Sequence, residues 1–108
     1  IKYKGWSIAP AELEDLLFKN PHVFDAAVIG KPSTELDVGQ IPKAFIILKP
    51  ESKDKVNEQD IMNWVAERIS AYKKIREVEF VDEVPKSGSG KILRRKLVEQ
   101  EKNRLGIK

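Results

Sequence analysis

A chain of 108 residues, 41% hydrophobic and 34% charged, is long enough for one domain with one core and too short for two. It has no cysteine and a single histidine, His22, which excludes disulfides, thiol chemistry and a His- or Cys-based metal site. The net charge of +3 is uneven: residues 86–108 carry +6 and the remainder −3, so the C-terminal end favours an anionic partner such as nucleic acid, a nucleotide or the phosphates of CoA. The apolar runs Ala26–Ile29 and Ala44–Leu48 fall far short of a membrane span, so no transmembrane segment is expected. No Met and no signal-peptide pattern opens the chain, so Ile1 reads as a fragment boundary.

Ile1–Ile8, with Gly5 near its middle, predicts a short strand or hairpin. A first helix follows. Pro10 suits its first position, Glu12, Glu14 and Asp15 complement its positive end, and Leu13, Leu16 and Leu17 supply an apolar stripe that Asn20-Pro21 stops. Val23–Ile29 reads as a buried strand, residues 30–42 as a polar loop, and Lys43–Leu48 as a second strand. After a charged linker, Glu51–Lys55, Asn57 and Asp60 have the spacing of a capping box, with Val56 and Ile61 placed for a hydrophobic staple. Ile61, Val65, Ile69 and Tyr72 then recur at helical spacing. Glu77–Val81 alternates as a third strand, residues 85–91 form a Gly/Ser loop, and Leu93, Leu97, Val98 and Glu101 predict a closing amphipathic helix that frays after Leu105. The expected fold is α+β: a small domain with a roughly three-stranded core sheet, antiparallel or mixed, plus a short N-terminal hairpin, covered by about three helices.

Two segments can carry chemistry. In Pro85-Lys86-Ser87-Gly88-Ser89-Gly90-Lys91, small residues let backbone approach a phosphate while the lysine supplies a point charge. It is not a Walker A loop, because Pro85 stands where its first glycine belongs and Ile92 where a magnesium-binding hydroxyl belongs. A flexible loop of this kind could carry Lys91 into another domain's site and withdraw it. In Lys2-Tyr3-Lys4-Gly5-Trp6 the glycine permits a tight reversal or close approach of a narrow ligand. The plain alternatives are a solvated charge for Lys91 and a hairpin with snorkelling lysines for the first segment. Neither segment holds a nucleophile–base pair, a carboxylate dyad or a metal cluster.

Taken together, the two segments resemble a known family. Ile1-Lys2-Tyr3-Lys4-Gly5-Trp6-Ser7-Ile8-Ala9-Pro10-Ala11-Glu12-Leu13-Glu14 is similar to the stretch just after the hinge of adenylate-forming enzymes: acyl-CoA synthetases, 4-coumarate–CoA ligases and beetle luciferases. Phe80–Lys86 followed by Gly90-Lys91-Ile92-Leu93-Arg94-Arg95 resembles their C-terminal catalytic-lysine segment, and Asp25–Gly30 also matches. The resemblance implies the C-terminal lid domain, residues 1–108, of an ATP-dependent acyl-CoA synthetase acting on a fatty or related carboxylic acid, its N-terminal AMP-binding domain lying outside this chain. ATP and CoA are then substrates, with Mg²⁺ held by that other domain. Lys91 matches the adenylation lysine, and Lys2 matches the lysine used near the adenylate in a second orientation. Gly5 matches a glycine lining the pantetheine tunnel, and Lys4, Trp6 and Ser7 join it in the cofactor-binding set. Gly90, Arg94 and Arg95 complete the cofactor-binding set, the arginines near the 3′-phosphate of CoA.

The chain departs from the pattern at Ser7, where the coumarate-ligase and luciferase branch often carries Gln, which inclines the expected substrate toward aliphatic acids. The resemblance further implies a cytoplasmic enzyme, and the Pro85-to-Gly90-Lys91 spacing resembles a pattern recognised by lysine acetyltransferases, which would neutralise Lys91. Two other readings stay open here. One is an adenylation domain that loads a carrier protein or stops at acyl-AMP. The other, of a different class, is a small basic RNA-binding module, although the aromatic strand and GxxG clamp of the RNA-binding folds are missing.

Overall fold

A computed structural model of the protein describes residues 1–106. A short hairpin, β1 (Lys2–Tyr3) and β2 (Trp6–Ser7), precedes α1 (Pro10–Leu17). Then come β3 (Val23–Pro32), β4 (Gln40–Leu48), α2 (Glu58–Ala66), β5 (Glu77–Phe80) and α3 (Arg94–Leu105). The main sheet has the order β3-β4-β5, with β3 antiparallel to β4 and β5 parallel to it, so the expected α+β architecture is present and the sheet is mixed.

The local signals act largely as their chemistry requires. Pro10 opens α1, and the Asn57–Asp60 capping box opens α2 with reciprocal side-chain-to-backbone bonds of 2.8 and 2.9 Å. α2 stops at Ala66, so Ile69 and Tyr72 reach the core from the segment beyond it rather than from a longer helix. Strands β3 and β4 run further than the sequence predicts, shrinking the expected 30–42 loop to 33–39. Pro42 fits inside a strand because of where its nitrogen, which carries no donor, points. Pro42 faces the β5 side before that pairing begins, and its carbonyl accepts from the Arg76 N–H at 2.9 Å.

The sheet separates two cores. One face packs Val28, Ala44, Ile46 and Val78 against Leu13 and Leu17 of α1 and Ile61 and Val65 of α2. The opposite face packs Ala27, Ile29 and Phe45 against Val84 and, from α3, Leu97. Burying each of the Val, Leu, Ile and Phe side chains among these contributes roughly 1.5–3 kcal/mol.

The second face also holds charge. Lys43 alternates onto it beside Phe45 and is buried, where it meets Glu77, Glu79 and the buried Glu101 of α3. Lys31 joins from β3, and Arg104 reaches Glu79 and Glu101 from the last turn of α3. The sequence places Glu77 and Glu79 on the polar side of a strand; that side is covered by α3 and ion-paired rather than open to water. Hydrogen bonding to Arg104, against the opposing effect of burial, holds the Glu79 carboxyl at about 2. Burial works to lower the Lys43 pKa, but its bonds to Glu101, Glu79 and Glu77 outweigh that and hold it above its ordinary value.

Candidate functional site

The two segments that carry candidate chemistry lie at opposite ends of the β3–β4 ribbon. Pro32 pairs with Gln40 at one end and Asp25 with Ile47 at the other. Seven residues of extended chain between Asp25 and Pro32 correspond to roughly 24 Å.

The β1–β2 hairpin occupies the Pro32–Gln40 end. Its two turn residues, Lys4 and Gly5, both have positive φ, 48° and 85°, the pattern of a tight turn that matches strand twist. Glycine tolerates this at Gly5, and lysine bears the strain at Lys4. Backbone and amide contacts seat the hairpin: the Lys2 N–H donates to the Gln40 Oε1 at 2.9 Å and the Lys4 N–H to the Val38 carbonyl at 2.9 Å. Lys2 Nζ donates to Ser7 Oγ at 2.6 Å across the hairpin. Trp6 is 55% exposed and stacks on Tyr72 with ring centroids 4.5 Å apart, while Arg76 lies 4.5 Å from the Tyr3 ring centroid. Two exposed lysines, Lys2 and Lys4, a glycine with open space at its tip and the cation-flanked rings of Tyr3 and Tyr72 therefore share this end.

Residues 85–93 occupy the Asp25 end. They are not the loose loop that their composition predicts. Lys86 and Ile92 form an antiparallel bridge, the Leu93 N–H donates to the Pro85 carbonyl at 2.9 Å, and the Ser87 N–H donates to the Lys91 carbonyl at 2.8 Å. Within this ring of bonds the Gly90 N–H reaches the Ser87 carbonyl at 2.9 Å, and Gly90 adopts φ 86° with no neighbour near its Cβ position. Small residues here make a compact hairpin, so any large travel of Lys91 belongs to the domain as a whole. Lys91 is exposed, and among the described residues its ammonium has no hydrogen-bond or ion-pair partner.

Arg94 and Arg95 separate in role. Arg94 is folded inward: its guanidinium pairs with Glu14 and donates through Nε to the Val28 carbonyl at 3.3 Å. Arg95 is exposed. The sequence treats Glu14 as a partner of the α1 dipole, but its side chain is buried and its Oε2 accepts the Val28 N–H at 2.8 Å. The signal was its position, since residues 13, 14 and 17 share one helical face.

Neither end is a complete active site. A hollow of about 460 Å³ lined by Phe24, Ile47, Leu48 and Phe80, with Lys53 and Asp82, contains neither Lys2 nor Lys91. Among the described residues no cluster of His, Cys, Asp or Glu could hold a metal ion, and no helix is long and apolar enough to cross a membrane. The class this defines is a small α+β domain that presents exposed lysines, Lys2 and Lys91 among them, at two opposed ends of one ribbon.

Comparison with known proteins gives that class its family. Residues 12–91 match the AMP-binding enzyme C-terminal domain, and the chain belongs to this family. It is 51% identical over 100 residues to 4-coumarate–CoA ligase 1 of Oryza sativa subsp. japonica, a match covering 93% of this chain and 17% of that protein. It is 50% identical over 97 residues to 4-coumarate–CoA ligase-like 1 of Arabidopsis thaliana, covering 90% and 17%. Among solved structures, a Mycobacterium tuberculosis fatty acyl CoA synthetase superposes with a TM-score of 0.83 at 33% identity, over 93% of this chain and 19% of that one. The anthranilate CoA ligase AuaEII, in complex with anthranoyl-AMP, gives 0.84 at 38% identity, over 99% and 20%. The chain thus spans a fifth or less of the length of these relatives.

Proposed function

We propose that this chain is the C-terminal domain of an AMP-forming carboxylate–CoA ligase and serves both half-reactions by presenting its two ends in turn. In the first, an oxygen of the acid attacks the α-phosphorus of ATP, the bond to pyrophosphate breaks, and acyl-AMP forms. Negative charge gathers on the α-phosphoryl oxygens, and the Lys91 ammonium stabilises it more in the transition state than in the ground state. In the second, the CoA sulfur attacks the acyl carbon and AMP leaves. Lys2 then stands near the adenylate, and Gly5 leaves room for the pantetheine arm where a side chain would obstruct it. Lys4, Trp6 and Ser7 flank that arm. Gly90 keeps the Lys91 tip narrow, and Mg²⁺ belongs to the larger domain. With Arg94 engaged by Glu14, the exposed Arg95 is the better candidate for a CoA phosphate.

The observation that carries this reading is the separation of the two lysines along the β3–β4 ribbon. A single substrate centre cannot meet both without reorientation of the domain. Family membership also favours the ligase over an RNA-binding module. The acid is fatty or a related carboxylate, and its pocket lies in the larger domain. Acetylation of Lys91 would remove the charge that the first step uses.

The test uses the full-length enzyme that carries this domain, assayed with ATP, CoA and a panel of aliphatic and aromatic acids. Acid-dependent pyrophosphate release followed by CoA thioester formation is expected, and pyrophosphate release with no thioester under any acid would replace the CoA reading with an acyl-AMP or carrier-loading one. The isolated chain should fold yet form no acyl-adenylate, because one cation without bound ATP and acid has nothing to position.

A further inference from the structure

Among the described residues the Lys91 ammonium has no partner, so something else must fix where it points. The bonds inside residues 85–93 set the shape of the hairpin but not its attitude to the rest of the domain. That attitude depends on its attachments, and the polar ones converge on β3. On one flank, Lys86 Nζ bonds to Asp25 Oδ2 at 2.6 Å, while Asp25 Oδ1 accepts the Ala26 N–H at 2.9 Å and so is itself held in direction. On the other flank, Arg94 pairs with Glu14, whose Oε2 is fixed by the Val28 N–H. Asp25 and Val28 are three residues apart on one strand, roughly 10 Å.

The second attachment has a further feature. Val28 lies on the open edge of the sheet, and both of its polar groups are taken by this pair: its N–H by Glu14 and its carbonyl by Arg94. The two side chains therefore stand in for a neighbouring strand. Being charge-assisted, with the Glu14 carboxylate buried, these bonds are directional.

We infer that Asp25 and Glu14 are positioning residues for Lys91, gripping the two cations that flank it so that the hairpin meets the reaction centre in one pose. This rests on the reading of Lys91 as the adenylation lysine. Neither carboxylate touches a reacting atom. Their effect comes through geometry, since a misplacement of about 1 Å can cost on the order of a hundredfold in rate.

The test uses the full-length enzyme and measures the two half-reactions separately, with melting temperature alongside. Variants are Asp25→Asn, Glu14→Gln, the charge exchange D25K/K86D, and Lys91→Ala as reference. Asp25→Asn and Glu14→Gln should each lower the adenylation rate by about tenfold, leaving the KM for the acid and the rate of thioester formation from supplied acyl-adenylate unchanged. The charge exchange should recover most of the loss seen in Asp25→Asn. Should Glu14→Gln not fold, Asp25→Asn and its exchange carry the test, because that pair is partly exposed. Wild-type adenylation by both single variants beside a crippled Lys91→Ala would overturn the inference and leave the role of Lys91 standing. Equal slowing of both half-reactions, in step with a lower melting temperature, would reduce the two carboxylates to a structural role. Normal adenylation by Lys91→Ala would instead remove the reading on which the inference rests.

Discussion

The two lysine-bearing hairpins resemble each other in size and in their use of a glycine near φ 85°, yet the domain holds them by different means. The β1–β2 hairpin is seated through backbone and amide bonds to residues 38–40, against a glycine that leaves no room to spare. The Lys91 hairpin packs Ile92 on the second core, and its polar attachments are two ion pairs, to β3 and α1, with open space around its glycine. The first kind of attachment constrains the path of the chain; the second constrains direction and is sensitive to charge. The two ends should therefore fail in different ways.

The largest expected effect lies at the Lys91 end. In the full-length enzyme Lys91→Ala should slow adenylation by about 10²–10³-fold, the usual consequence of losing one well-placed charge stabiliser. Thioester formation from supplied acyl-adenylate should be spared. Lys2→Ala should show the converse, with a loss on the order of tenfold, about 1.4 kcal/mol, in the second step alone. Loss of the same half-reaction in both variants would end the two-ended account.

Next in size is the frame that joins the ends. Glu101→Ala removes one partner from a buried cluster and should destabilise the isolated domain by about 3 kcal/mol, the lower end for a broken buried pair because Glu77 and Glu79 still face Lys43. Denaturant titration reads this directly, and a change below the error of the method would show the network to be dispensable.

The glycines sharpen the contrast further. Gly90→Ala should cost only the strain of a left-handed alanine, roughly 1–2 kcal/mol. Gly39→Ala carries the same strain at φ 81° and also puts a Cβ 2.9 Å from the Lys2 carbonyl oxygen, so it should cost more and slow the second step by displacing the β1–β2 hairpin. Equal stability of the two variants would contradict the tight seat at Gly39.

The smallest effect is one of pH. The Glu79 pKa is depressed to about 2, so its contribution to stability is complete above an ordinary carboxylate pKa of 4.5 and is lost as pH falls from there toward 2. Glu77 is depressed as well, burial opposing and Lys31 and Lys43 prevailing, and it adds to the same acid limb. Lys43 is raised, so its contribution holds below 10.5 and fades as pH climbs beyond it. Melting temperature against pH should fall on the acid side, and Glu79→Gln should flatten that fall; an unchanged acid limb would rule Glu79 out as its source.

Much of the fold was legible because it rests on local chemistry. The Asn57–Asp60 cap, Pro10 at a helix start, the alternation of Val78 and Phe80 and the stripe of Leu13 and Leu17 are short-range signals that the tertiary structure had no reason to override. The candidate lysines were visible for the same reason, since each sits in a small-residue turn of contiguous sequence. Glu14, Asp25 and Lys43 were not recognisable as they are used, because their meaning lies in partners 80, 61 and 58 residues away.

The sequence alone determined the order and kind of the main helices and strands, though not all their ends, that the domain is small and α+β, and which two turns hold the candidate lysines. Tertiary structure alone decided that those turns stand at opposite ends of one ribbon, that the Gly/Ser segment is a bonded hairpin, and that Asp25 and the buried Glu14 pair with the cations on either side of Lys91. The physical reason is range. Propensity and periodicity act over a few residues, whereas an ion pair depends on where a strand's register and a helix's packing bring two distant side chains together.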